Sequence, residues 1–372
     1  LQKGIDHASL RILLHEVLLM GLQRFLHGVA ERQPVVAAVV NRHGFCPELI
    51  DIGTGSFLVV QNVDFGQFRI HRNRNETAVA GAAVALRETL SPEQPCTIVI
   101  YGTPAEETEG GKIIMLENGC FRDIDIAMMM HASSSGTGVD LRTLALSTLA
   151  VEYRGKSAHA AIHPEDGRSA LDALLLAFHG IECLREHVPD DVRVHYAITD
   201  GGMPANAVPA HAAAQIIARS YDRVALENVL VRIKKILDGA GLMTETEYTL
   251  KRGRDIDNSI PVPELNALLM KNAELAGAPK LAPPRQKTGS TDFGNVCYVI
   301  PGACIRVSSD GDIPVPGHSR EAAAQGKSKE NHDAALYAGK ILAATAYELI
   351  SEPEKLAQIR KAFAERKMPQ GK

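Results

Sequence analysis

The stretch "GTPAEETEGGK" (102–112) sets Glu106 beside Glu107 at the end of an apolar run, on a Pro-Ala turn with glycines behind. Adjacent carboxylates repel, so one pKa rises unless a cation comes between them. A metal ion would resolve the conflict. One carboxylate would ligate it, and the other would stay free to take a proton from the metal-bound water. A solvated loop with two spare charges accounts for the pair equally well. His131 ends the next apolar run, "IDIAMMMHA". A lone histidine is more often structural than a ligand, but at the strand end next to a glutamate pair it reads as a ligand.

Other residues of chemical interest lie in turns. His159 sits in "GKSAHAA" and His318 in "PVPGHSRE"; each alone reads as a loop histidine. "GGMPANAVPAHA" holds Asn206 between a glycine pair and Pro209, a composition that suits a hairpin turn. "TGSTDFGNV" offers Gly289, Ser290 and Thr291 in a loop placed before a strand. Such a loop can bind a carboxylate through backbone N–H groups. It lacks the lysine spacing of a nucleotide-binding loop.

The elements that must position these residues follow from periodicity. "TAVAGAAVALRETL" (77–90) reads as a small-residue helix, "CTIVIYG" (96–102) and "IDIAMMMHA" (124–132) as buried strands, and "GGKIIMLENGCF" as the helix between them. Strand, helix, strand in that order predicts a parallel α/β sheet, whose ligands sit at the carboxyl ends of strands. From about residue 145 the pattern becomes β-α-β-β-α-β, the split βαβ arrangement, and reads as an inserted domain. The sequence divides as 1–145, 146–260 and 261–372. In the last part "VCYVIPGACIRV" reads as apolar strands and "HDAALYAGKILAATAYELI" as the last helix. "QPVVAAVV" and "SFLVVQNVDF" could be strands, but the texture of residues 1–76 differs from the rest: Lys3 is the one lysine before Lys112.

Composition narrows the class. The chain has 372 residues, 45% hydrophobic and 23% charged, with a formal net charge of −4. Length favours two domains, and the charge gives no support for a nucleic-acid or anionic-membrane partner. "LRILLHEVLLMGLQRFLHGVA" (10–30) is interrupted by charges and reads as an amphipathic helix rather than a membrane span or a signal peptide. The six cysteines form no CxxC pair, and reduced, mostly buried thiols point to the cytoplasm.

Taken in order, "GAAVAL", "GTPAEE", "GGK", "MMH", "GKSAHAA", "GRSALDA", "GGMPANAVP", "GSTDFGNV" and "PGHS" resemble the metal-dependent amidohydrolase family of aminoacylases, carboxypeptidases and dipeptidases. The likeness is closest to the p-aminobenzoyl-glutamate hydrolase and β-alanyl dipeptidase branch, and it runs from about Thr77 to the end. It implies an α/β zinc-peptidase-like catalytic domain with a mixed or parallel sheet, and an inserted ferredoxin-like (βαββαβ) lid and dimerisation domain. It implies Glu106 as general base, and Glu107, His131 and His318 as ligands of Zn or Mn, one or two ions. His159 would reach the oxyanion across a homodimer. Asn206 and Arg219 would hold the substrate carboxylate, with Gly289, Ser290 and Thr291 in the substrate loop. The implied activity is hydrolysis of an amide or peptide bond in an N-acyl amino acid, an aminobenzoyl-glutamate-like compound or a dipeptide.

The chain departs from that pattern upstream. The family's metal-binding Gly-His segment before "GAAVAL" corresponds to "FRIHRNRNETAVA", which puts Ile70 and Arg72 at the ligand positions, with His71 between them. A frame change in the coding sequence would account for the first 76 residues. The alternative reading is therefore an impaired or non-catalytic homologue lacking the N-terminal metal-binding segment. The absence of tryptophan and the stretch "IHPEDG" after His159 give aromatic acyl groups little support.

Overall fold

The computed structural model describes residues 56–59, 74–103, 105–202, 204–309, 315 and 319–367. The amphipathic stretch 10–30, "QPVVAAVV", Ile70, His71, Arg72 and His318 lie outside them.

In chain order the first elements are β1 (Ser56–Val59), α1 (Arg74–Thr89), β2 (Val99–Gly102), α2 (Gly111–Glu117), β3 (Ala127–Ser133) and β4 (Gly138–Val139). Next come β5 (Ala145–Arg154), α3 (Ala170–Leu184), β6 (Arg193–Asp200), β7 (His211–Ser220), α4 (Arg223–Thr244) and β8 (Glu247–Arg252). The chain continues with α5 (Pro263–Leu275), α6 (Phe293–Val299), β9 (Gly302–Ser308), α7 (Arg320–Ala324), α8 (Lys329–Ser351) and α9 (Pro353–Lys367).

Two compact units result. One comprises the described residues up to Arg142 together with Ser259–Thr288 and those from Asn295 onward. Its five-stranded sheet has the order β2-β1-β3-β9-β4. β1 pairs antiparallel with both β2 and β3, so these two run parallel to each other on either side of it. β3 and β9 pair parallel, with His131 opposite Arg306. The sheet is thus mixed rather than purely parallel, and a strand from the atypical segment is built into it. Ala78, Ala82, Ala83 and Leu86 of α1 meet Ala338, Ile341, Leu342 and Ala346 of α8 in the core. Small side chains let the two helices approach closely while burying apolar area at roughly 25 cal/mol per Å².

The other unit is Thr143–Asn258 with Gly289–Gly294. It has the β-α-β-β-α-β order and an antiparallel sheet β6-β7-β5-β8. Alternate residues of β5 (Ala145, Leu149, Val151, Tyr153) and β7 (Ala212, Ala214, Ile216, Ala218) are buried with α3 and α4. The period of two puts the intervening residues on the opposite face. Ser169 caps α3 and Asp222 caps α4 through backbone N–H groups.

Two further expectations need correction. "VCYV" is not a strand: Phe293–Val299 is a helix, and the strand begins only at Gly302. A short apolar run does not by itself distinguish the two. The helix at 329–351 is not the last, since α9 follows it and buries Ile359 and Phe363. Among the described cysteines Cys297 and Cys304 are buried, Cys96 and Cys120 half-buried and Cys183 exposed, all of them free thiols. Among the described residues no helix is long and apolar enough to cross a membrane.

Candidate functional site

In the first unit the glutamates leave the end of β2 on a turn wound about one carbonyl. The Ala105 oxygen accepts from the N–H groups of Thr108, Glu109 and Gly110 at 3.3, 3.1 and 2.9 Å. Ala105 itself is left-handed, at φ 59°, an uncommon conformation for a residue with a Cβ. Glu106 is half-buried and Glu107 exposed. Behind them Lys112 is almost wholly buried at the start of α2.

His131 stands at the carboxyl end of β3, and its Nδ1 lies 2.5 Å from the Ala132 carbonyl oxygen. A carbonyl only accepts, so Nδ1 carries the hydrogen and Nε2 keeps its lone pair, the form a metal or a proton donor can use. His131 keeps solvent exposure, yet partial desolvation at the strand end, and after it the Arg306 guanidinium, hold its pKa below the ordinary histidine value. That guanidinium was missed in the sequence. Arg306 Nε donates to both oxygens of Asp140, at 3.0 and 2.8 Å, and Arg285 Nε lies 3.3 Å from the same carboxylate. The Asp140 side chain is 6% exposed. Arg306 also feels the charge of Glu106, so the arginine, the half-buried glutamate and His131 share one electrostatic neighbourhood. The available signal was one charged residue inside the apolar run "GACIRV".

Among the described residues no three histidine, cysteine, aspartate or glutamate side chains come together as a metal-holding set. His131 has the tautomer of a ligand, but the described residues do not compose a complete metal site. Glu107 is exposed on its turn and His318 lies outside the described residues.

In the second unit the structure brings His159 and Asn206 together. The Ala160 N–H donates to the Asn206 carbonyl at 3.0 Å, the Val208 N–H to the Ala158 carbonyl at 2.9 Å, and His159 bridges Ala207. His159 Nδ1 accepts from the Ala161 N–H at 3.2 Å. The neutral ring therefore carries its hydrogen on Nε2 and can donate outward, as an oxyanion donor must. Arg219 is elsewhere. It lies opposite Arg193 near the far end of β7, eight residues from His211, or roughly 26 Å of strand. Gly289 turns its carbonyl to the Leu144 N–H, and Thr291 starts the turn into α6. Ser290 Oγ is buried with no hydrogen-bond partner among the described residues.

Residues 145–243 match the model of the peptidase dimerisation domain found in M20 peptidases. The chain is 31% identical over 294 residues to the human Xaa-Arg dipeptidase, covering 76% of this chain and 66% of that protein. It is 30% identical over 335 residues to a p-aminobenzoyl-glutamate hydrolase polypeptide of Escherichia coli, covering 73% and 68%. The chain thus spans about two thirds of the length of these curated relatives. A Bacillus subtilis dinuclear metal-binding peptidase of the M20 family shares the fold at TM-score 0.54 and 15% identity, over 73% of this chain and 70% of that one. With that sequence likeness over three quarters of its length, the chain belongs to the M20 family of metal-dependent amidohydrolases and peptidases. It has that family's catalytic domain and inserted dimerisation domain.

Proposed function

We propose that the chain hydrolyses an amide or peptide bond in a small carboxylate-bearing substrate: an N-acyl amino acid, an aminobenzoyl-glutamate-like compound or a dipeptide. The observation that carries this is the Glu106–Glu107 turn at the end of β2 with His131 at the end of the parallel strand β3, in a chain about 30% identical to a dipeptidase and an aminobenzoyl-glutamate hydrolase. Glu106 is the general base. It takes the proton of the attacking water and returns it to the leaving amine. His159 offers Nε2–H to the oxyanion, and Asn206 meets the substrate from the neighbouring loop. Asn206 and Arg219 lie towards opposite ends of β7, so a substrate touching both would draw them from two subunits of a homodimer. Glu107, His131 and His318 are the residues that would hold Zn or Mn, which when bound polarises a carbonyl and acidifies water.

Two substitutions test the roles. Glu106→Gln keeps metal content and loses at least about 100-fold in kcat; undiminished turnover removes Glu106 as the base. Glu107→Ala abolishes metal uptake, read by elemental analysis of the reconstituted protein. Unchanged metal content shows that Glu107 is not a ligand.

A second reading, an impaired homologue, is favoured by the guanidinium beside His131 and by Ile70 and Arg72 standing in the sequence where the family's upstream ligands fall. Less than about 0.1 metal ion per chain after reconstitution, with no amidase activity, decides for it.

A further inference from the structure

His211, the first residue of β7, has a carboxylate at each ring nitrogen. Nδ1 lies 2.9 Å from Asp200 Oδ2 at the end of β6, and Nε2 lies 2.9 Å from Glu152 Oε1 on β5. Carboxylates accept and do not donate, so both contacts are hydrogen bonds only when both nitrogens carry hydrogen. The ring is then an imidazolium. Its neutral form gives up one of the two bonds and sets a lone pair against a negative oxygen.

The three residues sit where the chain needs fastening. Asp200 and His211 are the two ends of the 201–210 loop, and Asp200 Oδ1 also accepts from the Gly202 N–H at 2.9 Å. Gly202 is left-handed, at φ 76°, and a Cβ there would lie 2.7 Å from Pro209. That loop carries Asn206, and its Asn206 and Val208 bond the 158–160 segment that holds His159. A third bond, from the Gly155 N–H to the Ala210 carbonyl, joins the base of the loop to the end of β5.

We propose that Glu152, His211 and Asp200 form a proton-dependent clip that positions the 201–210 loop, and with it Asn206 and the His159 segment. The clip rests on the proposed function only for what Asn206 and His159 do; the fastening itself does not depend on it. His211, Glu152 and Asp200 are positioning residues.

The charges facing the ring agree with this. On β5, Arg154 lies opposite His211 and donates to Glu152 Oε1 at 2.7 Å. On β8, Glu247 lies opposite Arg154, and Lys251 is opposite Ala150, two residue pairs from Glu152. Asp200 first and Glu152 second raise the imidazole pKa above its ordinary value. The Glu152 carboxylate is in turn lowered by His211 first and Arg154 second, and that of Asp200 by the Gly202 N–H first and His211 second. The clip is therefore complete from just above the carboxylate range up to the raised histidine pKa. It is lost as pH rises through that value.

Hydrogen exchange of the full-length protein, read by mass spectrometry, tests the clip. Wild type, His211→Gln and His211→Arg are compared at equal pH, so that the intrinsic exchange rate cancels. At pH 6 peptides covering 201–210 and 158–161 exchange about tenfold faster in His211→Gln than in wild type, the loss of one charge-assisted bond. Wild type approaches His211→Gln as pH rises, while His211→Arg, which keeps the charge and two donors, stays protected. Equal exchange of wild type and His211→Gln at pH 6, with the rest of the chain folded in both, overturns the clip. The same variants carry a kinetic readout. Wild type is expected to show an alkaline limb in kcat/KM that is absent in His211→Arg, and an identical limb in both also overturns the proposal. If exchange behaves as stated while no amide is hydrolysed, the clip stands and the proposed function falls.

Discussion

Asp140 shows how much one side chain decides at the candidate site. It is nearly buried between two guanidinium groups, and it fixes Arg306 beside His131. Removing its charge leaves Arg306 and Arg285 repelling each other without the carboxylate between them. Breaking a buried pair from one side costs about 3 kcal/mol. Asp140→Asn should therefore lower the urea midpoint by that much in free energy, with the m-value unchanged. A loss below roughly 0.5 kcal/mol would show the cluster to be solvent-screened instead. Glu106, Glu107, His131, His159 and Asn206 were all legible as candidates because each sits in a short motif. Arg306 and Asp140 were not. Their partnership spans 166 positions of sequence and exists only because β4 and β9 are neighbours.

At the scale of elements, the crossing after β5 is the tightest point near the His159 segment. Lys156 and Arg168 exchange backbone hydrogen bonds there at 2.9 and 2.8 Å, and a Cβ on Gly155 would fall 1.9 Å from the Arg168 carbonyl oxygen. No side chain can move to relieve a clash with backbone. Gly155→Ala is expected to separate the two segments and to cost more than about 2 kcal/mol. Thermal unfolding measures the loss, and a melting temperature unchanged from wild type would refute the close approach. The helix α6 and the extra helix α9 mark the limits of periodicity. "FGNVCYV" is too short and too apolar to show a period, and α9 has a mostly polar surface with Ile359 and Phe363 as its buried pair, four residues apart. The longer helices α1, α3, α4 and α8 were legible because each repeats its apolar face over several turns.

For the whole molecule, the dimerisation-domain match and the placement of Arg219 far along β7 from Asn206 point the same way. The chain should sediment as a species of twice its mass at micromolar concentration. A monomer with full amidase activity would exclude any substrate site assembled from two subunits. β6 is an edge of its sheet and carries Ile198 exposed, a surface that a monomer would leave open to pairing.

The sequence alone determined most of the helices and strands and the β-α-β-β-α-β order of the inserted unit, since strand and helix periods and the order of short motifs are local properties of the chain. It also determined which residues have the chemistry for a hydrolytic site. Tertiary structure decided what those residues meet. It set β1 between β2 and β3, put a guanidinium beside His131, and joined the His159 and Asn206 segments. It also placed His211 between two carboxylates from different strands. Each of these depends on pairing between segments far apart in sequence, where no local period or motif records which strand will lie alongside which.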